Sequence, residues 1–206
     1  MANAGGEQRE HSLDRAAIVE AVQNWGFFRD DGRWDELAQL YAPDGFQSTT
    51  WSRGTAADFI AALKRRPKDG PYRGMHIVGA STVAINGARA IAETKMIILL
   101  RGKLHDIEVD VSNWGRTYDR FVKSEDAWRI KERVPIYEKD RIDPVDPAAT
   151  IALDPAEIAK YPAGYRHLAY FQAASGARIN LDLPVPGNAI FETLHKEGAA
   201  WLAKGG

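Results

Sequence analysis

A chain of 206 residues is long enough for one well-buried core with an appendage, and 27 basic against 28 acidic side chains leave a formal net charge of −1, too little to gather nucleic acid or anionic lipid. The absence of cysteine excludes disulfide staples, thiolate zinc sites, iron–sulfur clusters and cysteine nucleophiles. Residues 1–6 lack a basic region leading into an apolar one, and no apolar run approaches membrane-spanning length, so the expectation is a soluble cytoplasmic protein with neither nucleic acid nor membrane as partner.

Residues 1–11, small and polar, are expected to form a mobile leader. Ser12 can then cap a helix whose apolar positions Leu13, Ala17, Ala21, Trp25 and Phe28 recur at threes and fours, burying one face, and Gly32 is placed to end it. A second short helix is expected from Trp34 to Tyr41, stopped by a turn at Pro43-Asp44-Gly45. Residues 46–51 can form a brief strand, and Ala56 to Arg66 a third helix closed by Pro67-Lys68-Asp69-Gly70-Pro71.

From His76 the apolar period changes to two, the mark of strands with distinguishable faces. His76 to Ile85, the turn signal Asn86-Gly87 and Ala88 to Arg101 read as an antiparallel hairpin. On its second strand Ala90, Ala92, Thr94, Met96, Ile98 and Leu100 form one uncharged face, expected to be concave and buried, while Arg89, Glu93 and Lys95 fall on the other. Gly102-Lys103 can turn the chain into a third strand, His105 to Val122, and Ser124-Glu125-Asp126 leads into a fourth from Ala127 to Tyr137. Three helices and then a meandering antiparallel sheet describe an α+β domain. Its end is expected at Arg141, because Asp143-Pro144-Val145-Asp146-Pro147 reads as a linker. The extension over 142–206 contains a helix near Tyr165 to Ala174, an extended piece from Leu181 to Pro186 and a closing helix from Asn188 to Ala203, expected to pack on the domain as a lid or on a neighbouring subunit as a clamp.

The run Trp25-Gly26-Phe27-Phe28-Arg29-Asp30-Asp31-Gly32-Arg33-Trp34-Asp35-Glu36-Leu37, the later Tyr41-Ala42-Pro43-Asp44-Gly45, the Met75-His76 strand start and the ending Tyr118-Asp119-Arg120-Phe121 to Trp128-Arg129-Ile130 resemble the SnoaL-like branch of the NTF2-like superfamily. That group includes scytalone dehydratases, ketosteroid isomerases and polyketide cyclases, and the resemblance covers residues 12–141. It implies a cystatin-like cone: three N-terminal helices packed in a strongly curved, mainly antiparallel sheet around a pocket. The pattern is most similar to that of the scytalone dehydratases, whose catalytic aspartate and first catalytic histidine fall on Asp30 and His76. The match has gaps. Arg29 stands where those enzymes have a tyrosine, their second histidine falls near Leu100, and the isomerases' oxyanion pair has no counterpart located here.

Asp30 is also unusual without any resemblance. It ends a helix, where the dipole disfavours negative charge, so a cation or a hydrogen-bonded imidazole is needed beside it. Asp31 borders Gly32 and is expected to face water, the ordinary situation for paired acids in a loop. His76 begins a strand whose alternate residues Val78, Ala80, Thr82 and Ala84 are uncharged, which suits an inward face. Tyr41, Asn113, Arg116 and Tyr137 are candidates to hydrogen-bond a substrate oxygen, although arginines on strands are more often surface ion-pair residues. Trp25, Trp51 and Met96 are expected as pocket walls. His167 could close over a pocket. His105, Asp106, Glu108 and Asp110 cluster in sequence, yet strand alternation sends the acids to one face and His105 to the other, so neither a metal nor any other cofactor is expected.

Taken together, these readings point to a cofactor-independent lyase, a dehydratase or a related elimination or retro-aldol enzyme, in which an Asp30–His76 dyad acts on a small hydrophobic, aromatic or polycyclic, oxygenated substrate. A double-bond isomerase and a non-catalytic ligand-binding or assembly subunit are the alternatives. A homo-oligomer, dimer or trimer, is expected.

Overall fold

Strand alternation sustained over four long segments builds a curved sheet that has room for a helix on each face. The computed structural model describes residues 2–67, 70–125 and 127–205, with side chains from residue 11 onward. In chain order the elements are α1 (Ala2–Asp30), α2 (Trp34–Gln39), β1 (Tyr41–Ser48), β2 (Arg53–Thr55), α3 (Ala56–Lys64), β3 (Tyr72–Asn86), β4 (Arg89–Leu104), β5 (Ile107–Ser124), β6 (Ala127–Pro144), α4 (Pro155–Ile158), α5 (Arg166–Ala174) and α6 (Ala189–Leu202). The six strands lie in the order β2-β1-β6-β5-β4-β3, antiparallel throughout except for the β1/β6 pair.

Helix α1 starts at Ala2, so the leader expected before Ser12 is helical. Glu7, Gln8, Arg9 and Glu10 are good helix formers, and they outweigh the glycine pair before them. The buried stripe is also rotated from the expected one: Ile18, Ala21, Val22 and Trp25 face the sheet, while Leu13 is 63% exposed. Gly26 permits a close approach to β3, since a Cβ there would meet Val78 Cγ2 at 2.9 Å. The helix thus lies low enough on the sheet for its last residue to reach that strand.

The uncharged face of β4 is the inner one. Ala90, Ala92 and Thr94 are fully buried, and the first two join Ile18, Trp25, Phe59, Phe121 and Ile130 in the principal core. The β4–β5 hairpin turns at His105-Asp106 rather than at Gly102-Lys103. Both residues take left-handed backbone, φ 50° and 67°, as a two-residue turn matched to strand twist requires, and aspartate tolerates that region well. Pro43-Asp44-Gly45 does not end a helix either. It lies within β1 as an irregularity between Tyr41 and Phe46, where the register against β6 shifts.

Strand β6 continues past Tyr137 to Pro144, which pairs with Val109. Its far end carries the tail. Leu100, Leu104, Val109, Val111 and Tyr137 from the sheet pack with Tyr165, Leu168, Phe171 and Leu183 in a second core. Tyr165 gives α5 no side-chain cap. The Asp140 carboxylate of β6 takes that role, accepting the His167 and Leu168 backbone N–H groups at 2.7 and 2.8 Å and the His167 Nδ1–H at 2.8 Å. His167 is therefore an anchor for the tail and lines none of the cavities described below. On the outer face α6 sets Leu194 against Tyr118, Val134 and Ile136.

Gly164 marks a close backbone contact between tail and sheet. An added Cβ would lie 2.3 Å from the Tyr137 carbonyl oxygen, and the Gly164 carbonyl accepts a hydrogen bond from buried Asn113 Nδ2 at 3.0 Å. Gly164→Ala should lower unfolding stability by about 1–3 kcal/mol, read from urea denaturation, because Tyr137 is fixed in the β5/β6 ladder and Gly164 cannot retreat without losing its bond to Asn113.

Candidate active site

The end of α1 meets β3 through one carboxylate, at His76, which lies four residues inside a strand that begins at Tyr72 and not at its start as expected. Asp30 Oδ2 accepts the His76 backbone N–H at 2.6 Å, and Asp30 Oδ1 receives the imidazole Nδ1–H at 2.8 Å and Arg29 Nη1 at 2.9 Å. These donors supply the compensation that a negative charge at a helix C-terminus needs. The bond to Asp30 fixes the proton on Nδ1, and Nε2 has no hydrogen-bond partner among the described residues.

Burial would raise the Asp30 carboxyl, but the hydrogen bonds and charge of His76 together with Arg29 hold it below the ordinary carboxylate range. His76 also lies below its ordinary 6.5, first because burial disfavours the imidazolium and then because Arg29 repels it; the attraction of Asp30 does not offset both. The two directions agree on one state at neutral pH, a carboxylate beside a neutral imidazole.

His76 forms part of the wall of a cavity between α1, α3, the inner face of the sheet and α5. Its empty volume, open mouth included, is about 590 Å³, of which about 50 Å³ is open to the centre of a water molecule. Trp25, Trp51, Phe59, Met96 and Ile98 give it an apolar lining. Trp25 meets the imidazole edge-on at a centroid distance of 5.5 Å. From the tail come Leu168 and Gln172. Gln172 is tied to Thr50 by a side-chain hydrogen bond, and Asn180 N–H donates to the Thr50 carbonyl at 2.7 Å.

The structure separates the sequence candidates. His76, Trp25, Trp51 and Met96 line this cavity, as does Tyr137, whose phenol burial keeps protonated, while Asp30 does not line it and connects to it through its bond to His76. Tyr41 is buried behind the wall, its hydroxyl accepting from Trp25 Nε1 at 2.7 Å and donating to Gln47 Oε1, so it positions the tryptophan and does not line the space. Asn113 faces inward but is committed to Gly164. Arg116 lies on the outer face, in ion pairs with Glu93 and Glu138. Among the described residues no cluster of potential metal ligands occurs.

Sequence reading missed Arg133. Its Nε and Nη2 donate to Asp119 Oδ1 and Oδ2 at 2.7 and 2.8 Å, and both side chains are almost fully buried. The guanidinium carbon lies 4.3 Å over the Trp25 ring, and Nη1 is buried with no hydrogen-bond partner. A signal existed. Asp119 shares strand parity with Val109, Val111, Thr117 and Phe121, so a charge there demands a buried partner.

A family model described as a SnoaL-like domain matches residues 10–134. Pea pathogenicity protein 2 of the fungus Fusarium vanettenii is 33% identical over 176 residues, covering 84% of this chain and 76% of that protein. A PEP2-like protein of the same fungus is 32% identical over 200 residues, covering 92% of this chain and 86% of its own, so the likeness reaches into the tail. Among solved structures, a putative scytalone dehydratase from Novosphingobium aromaticivorans superposes with a TM-score of 0.54 at 15% identity, over 69% of this chain and 99% of that one. A type 2 hexachlorocyclohexane dehydrochlorinase does so with a TM-score of 0.57 at 10% identity, over 72% and 97%. These structural likenesses establish the shared fold.

The imidazole of His76 should titrate below 6.5 with its neutral form protonated at Nδ1, and Asp30→Asn should lower the midpoint further by removing the charge that favours the imidazolium. Nitrogen-15 spectra of the ring through the acid range measure both shifts. A midpoint above 6.5 in the parent protein would contradict the burial argument.

Proposed function

The chain belongs to the SnoaL-like family, and from the geometry of its cavity we propose that it is an acid/base lyase that needs no cofactor and eliminates water from a small hydrophobic, oxygenated substrate of aromatic or polycyclic build. One observation carries this reading: a neutral imidazole, its Nδ1–H committed to Asp30 and its Nε2 unpartnered, forms part of the wall of an apolar cavity.

In the proposed reaction Nε2 takes a proton from a carbon next to a carbonyl. The released electron pair forms the carbon–carbon double bond as the bond to a hydroxyl group on the neighbouring carbon breaks. The imidazolium Nε2–H then protonates the departing hydroxyl, so water leaves and the base is regenerated. Arg133 Nη1, buried beside this space with its other donors held by Asp119, is the group we assign to the carbonyl oxygen as it gains enolate charge. Asp30 remains ionised throughout. It orients the ring and steadies the transient imidazolium.

His76→Ala and Asp30→Asn should each lower turnover by about 100-fold or more while melting temperature and circular dichroism stay near parent values. A panel of hydroxylated aromatics and polycyclic alcohols, followed by absorbance as conjugation forms, supplies the assay. Turnover equal to the parent's in either variant removes the dyad, and ligand binding without any turnover in the parent would favour a carrier.

The pH dependence has a definite sign. Because the folded protein holds His76 below 6.5, the basic form persists to lower pH than in a free imidazole. kcat/KM should therefore be flat through neutrality and fall only on the acid side of 6.5. A rate that rises on acidification through that range would be incompatible with a neutral imidazole base.

A further inference from the structure

Two cavities meet at Arg66. The inner one contains His76, and the outer one shares Trp51, Arg66 and Tyr72 with it. Pro67, Pro71 and the turn after α5, which brings Arg178, complete the outer space. It is much roomier, with about 290 Å³ open to the centre of a water molecule against about 50 Å³ inside. A ligand that reaches His76 and exceeds the inner chamber in length must extend past Arg66.

Among the described residues no aspartate or glutamate lines either cavity, and the four arginines that do are not equivalent. Arg29 is held by Asp30 and Arg133 by Asp119. Arg66 is half-buried and forms no ion pair among the described residues; its guanidinium carbon lies 3.9 Å over the Trp51 ring and 5.9 Å from that of Tyr72, whose hydroxyl is its one side-chain hydrogen-bond partner among the described residues. Arg178, at the exposed rim, is likewise without a carboxylate partner among the described residues. The paired charges cancel, so the junction and the rim carry a net positive charge.

Stacking on an aromatic face positions a guanidinium while leaving its in-plane N–H edge available. That edge matches a carboxylate, which accepts two parallel hydrogen bonds from it. A partly desolvated cation without an anion is disfavoured, and a bound carboxylate relieves the imbalance.

We propose that the outer cavity is a carboxylate subsite: the substrate carries a carboxylate at the end remote from the bond broken at His76, and Arg66 binds it. This rests on the inner cavity being the reaction chamber, and it narrows the substrate class to aromatic or polycyclic hydroxy acids. Arg178 adds attraction at the rim, where an acid enters.

Naphthoate and naphthamide, alike in shape and different in charge, test the subsite by calorimetric titration. The parent protein should bind naphthoate at least about tenfold more tightly than naphthamide. Arg66→Gln should abolish the preference through loss of naphthoate affinity alone, and Arg66→Lys should keep part of it, since an ammonium retains the charge but not the fork. A melting curve for each variant confirms folding. No preference in the parent, no naphthoate binding, or a preference that survives Arg66→Gln would overturn the proposal. His76→Ala should retain the preference. Because binding is read without turnover, a failed dyad leaves the subsite standing, and a failed subsite leaves the dyad standing.

Discussion

The Asp30 carboxylate joins the two elements on which the cavity is built. It sits at the C-terminal end of α1, where the helix dipole opposes it by about 0.3–1 kcal/mol, and it is largely removed from water. Three donors converge on it, one of them the His76 backbone N–H and one the imidazole of the same residue. The same contacts therefore fix the depth of the helix on the sheet, the position of the strand and the orientation of the ring. Gly26, one turn earlier, removes the side chain that would hold α1 and β3 apart.

A second carboxylate makes almost the same set of bonds. Asp140 accepts the backbone N–H and Nδ1–H of His167 at distances within 0.1 Å of those at His76. Asp140, however, faces a helix N-terminus, which favours its charge, and His167 opens onto no described cavity. The hydrogen-bond pattern by itself is a means of pinning a helix to a strand. Enclosure and neighbouring charge set His76 apart: its side chain is 8% exposed against 27% for His167, and Arg29 and Arg133 both act to keep its ring neutral. The buried Asp119–Arg133 pair fits the same logic. Such a pair adds little stability over apolar residues of equal volume, but it fixes the guanidinium in place with one nitrogen left without a partner.

Much of the fold was legible because alternation in β3 to β6 is long and regular, and the inner face of β4 follows residue by residue. The errors lie where local signals compete. Gly102-Lys103 looks like a turn, but turning at His105-Asp106 carries β4 three residues further, pairing Gly102, Lys103 and Leu104 with Val109, Glu108 and Ile107. Pro43-Asp44-Gly45 looks like a stop, yet an irregular strand absorbs it. The contact between Asp30 and His76 was legible through the family resemblance, which singled out both positions, and through the need of a carboxylate at a helix end for a donor. Asn113 and Arg116 could not both line a pocket, since residues three apart on a strand point to opposite faces. Gln172 was invisible for a different reason: its partner Thr50 lies 122 residues away, and no local pattern encodes that contact.

That distance makes the tail part of the cavity wall. The SnoaL-like match ends at residue 134, whereas Leu168 and Gln172, which close one side of the chamber, and Arg178 at its rim all lie beyond it. The helix bearing the first two is held by Asp140 at its start and by Gln172–Thr50 near its end, so the wall is braced at both ends by the sheet domain. Excluding water there strengthens every electrostatic effect inside, because charges interact more strongly as the local dielectric falls. Asp30 and His76 lie within the matched domain. Leu168 and Gln172 on one side of the cavity and Arg178 at its rim are contributed by residues outside the matched domain, whereas Arg66, Trp25, Trp51 and Phe59 lie within it.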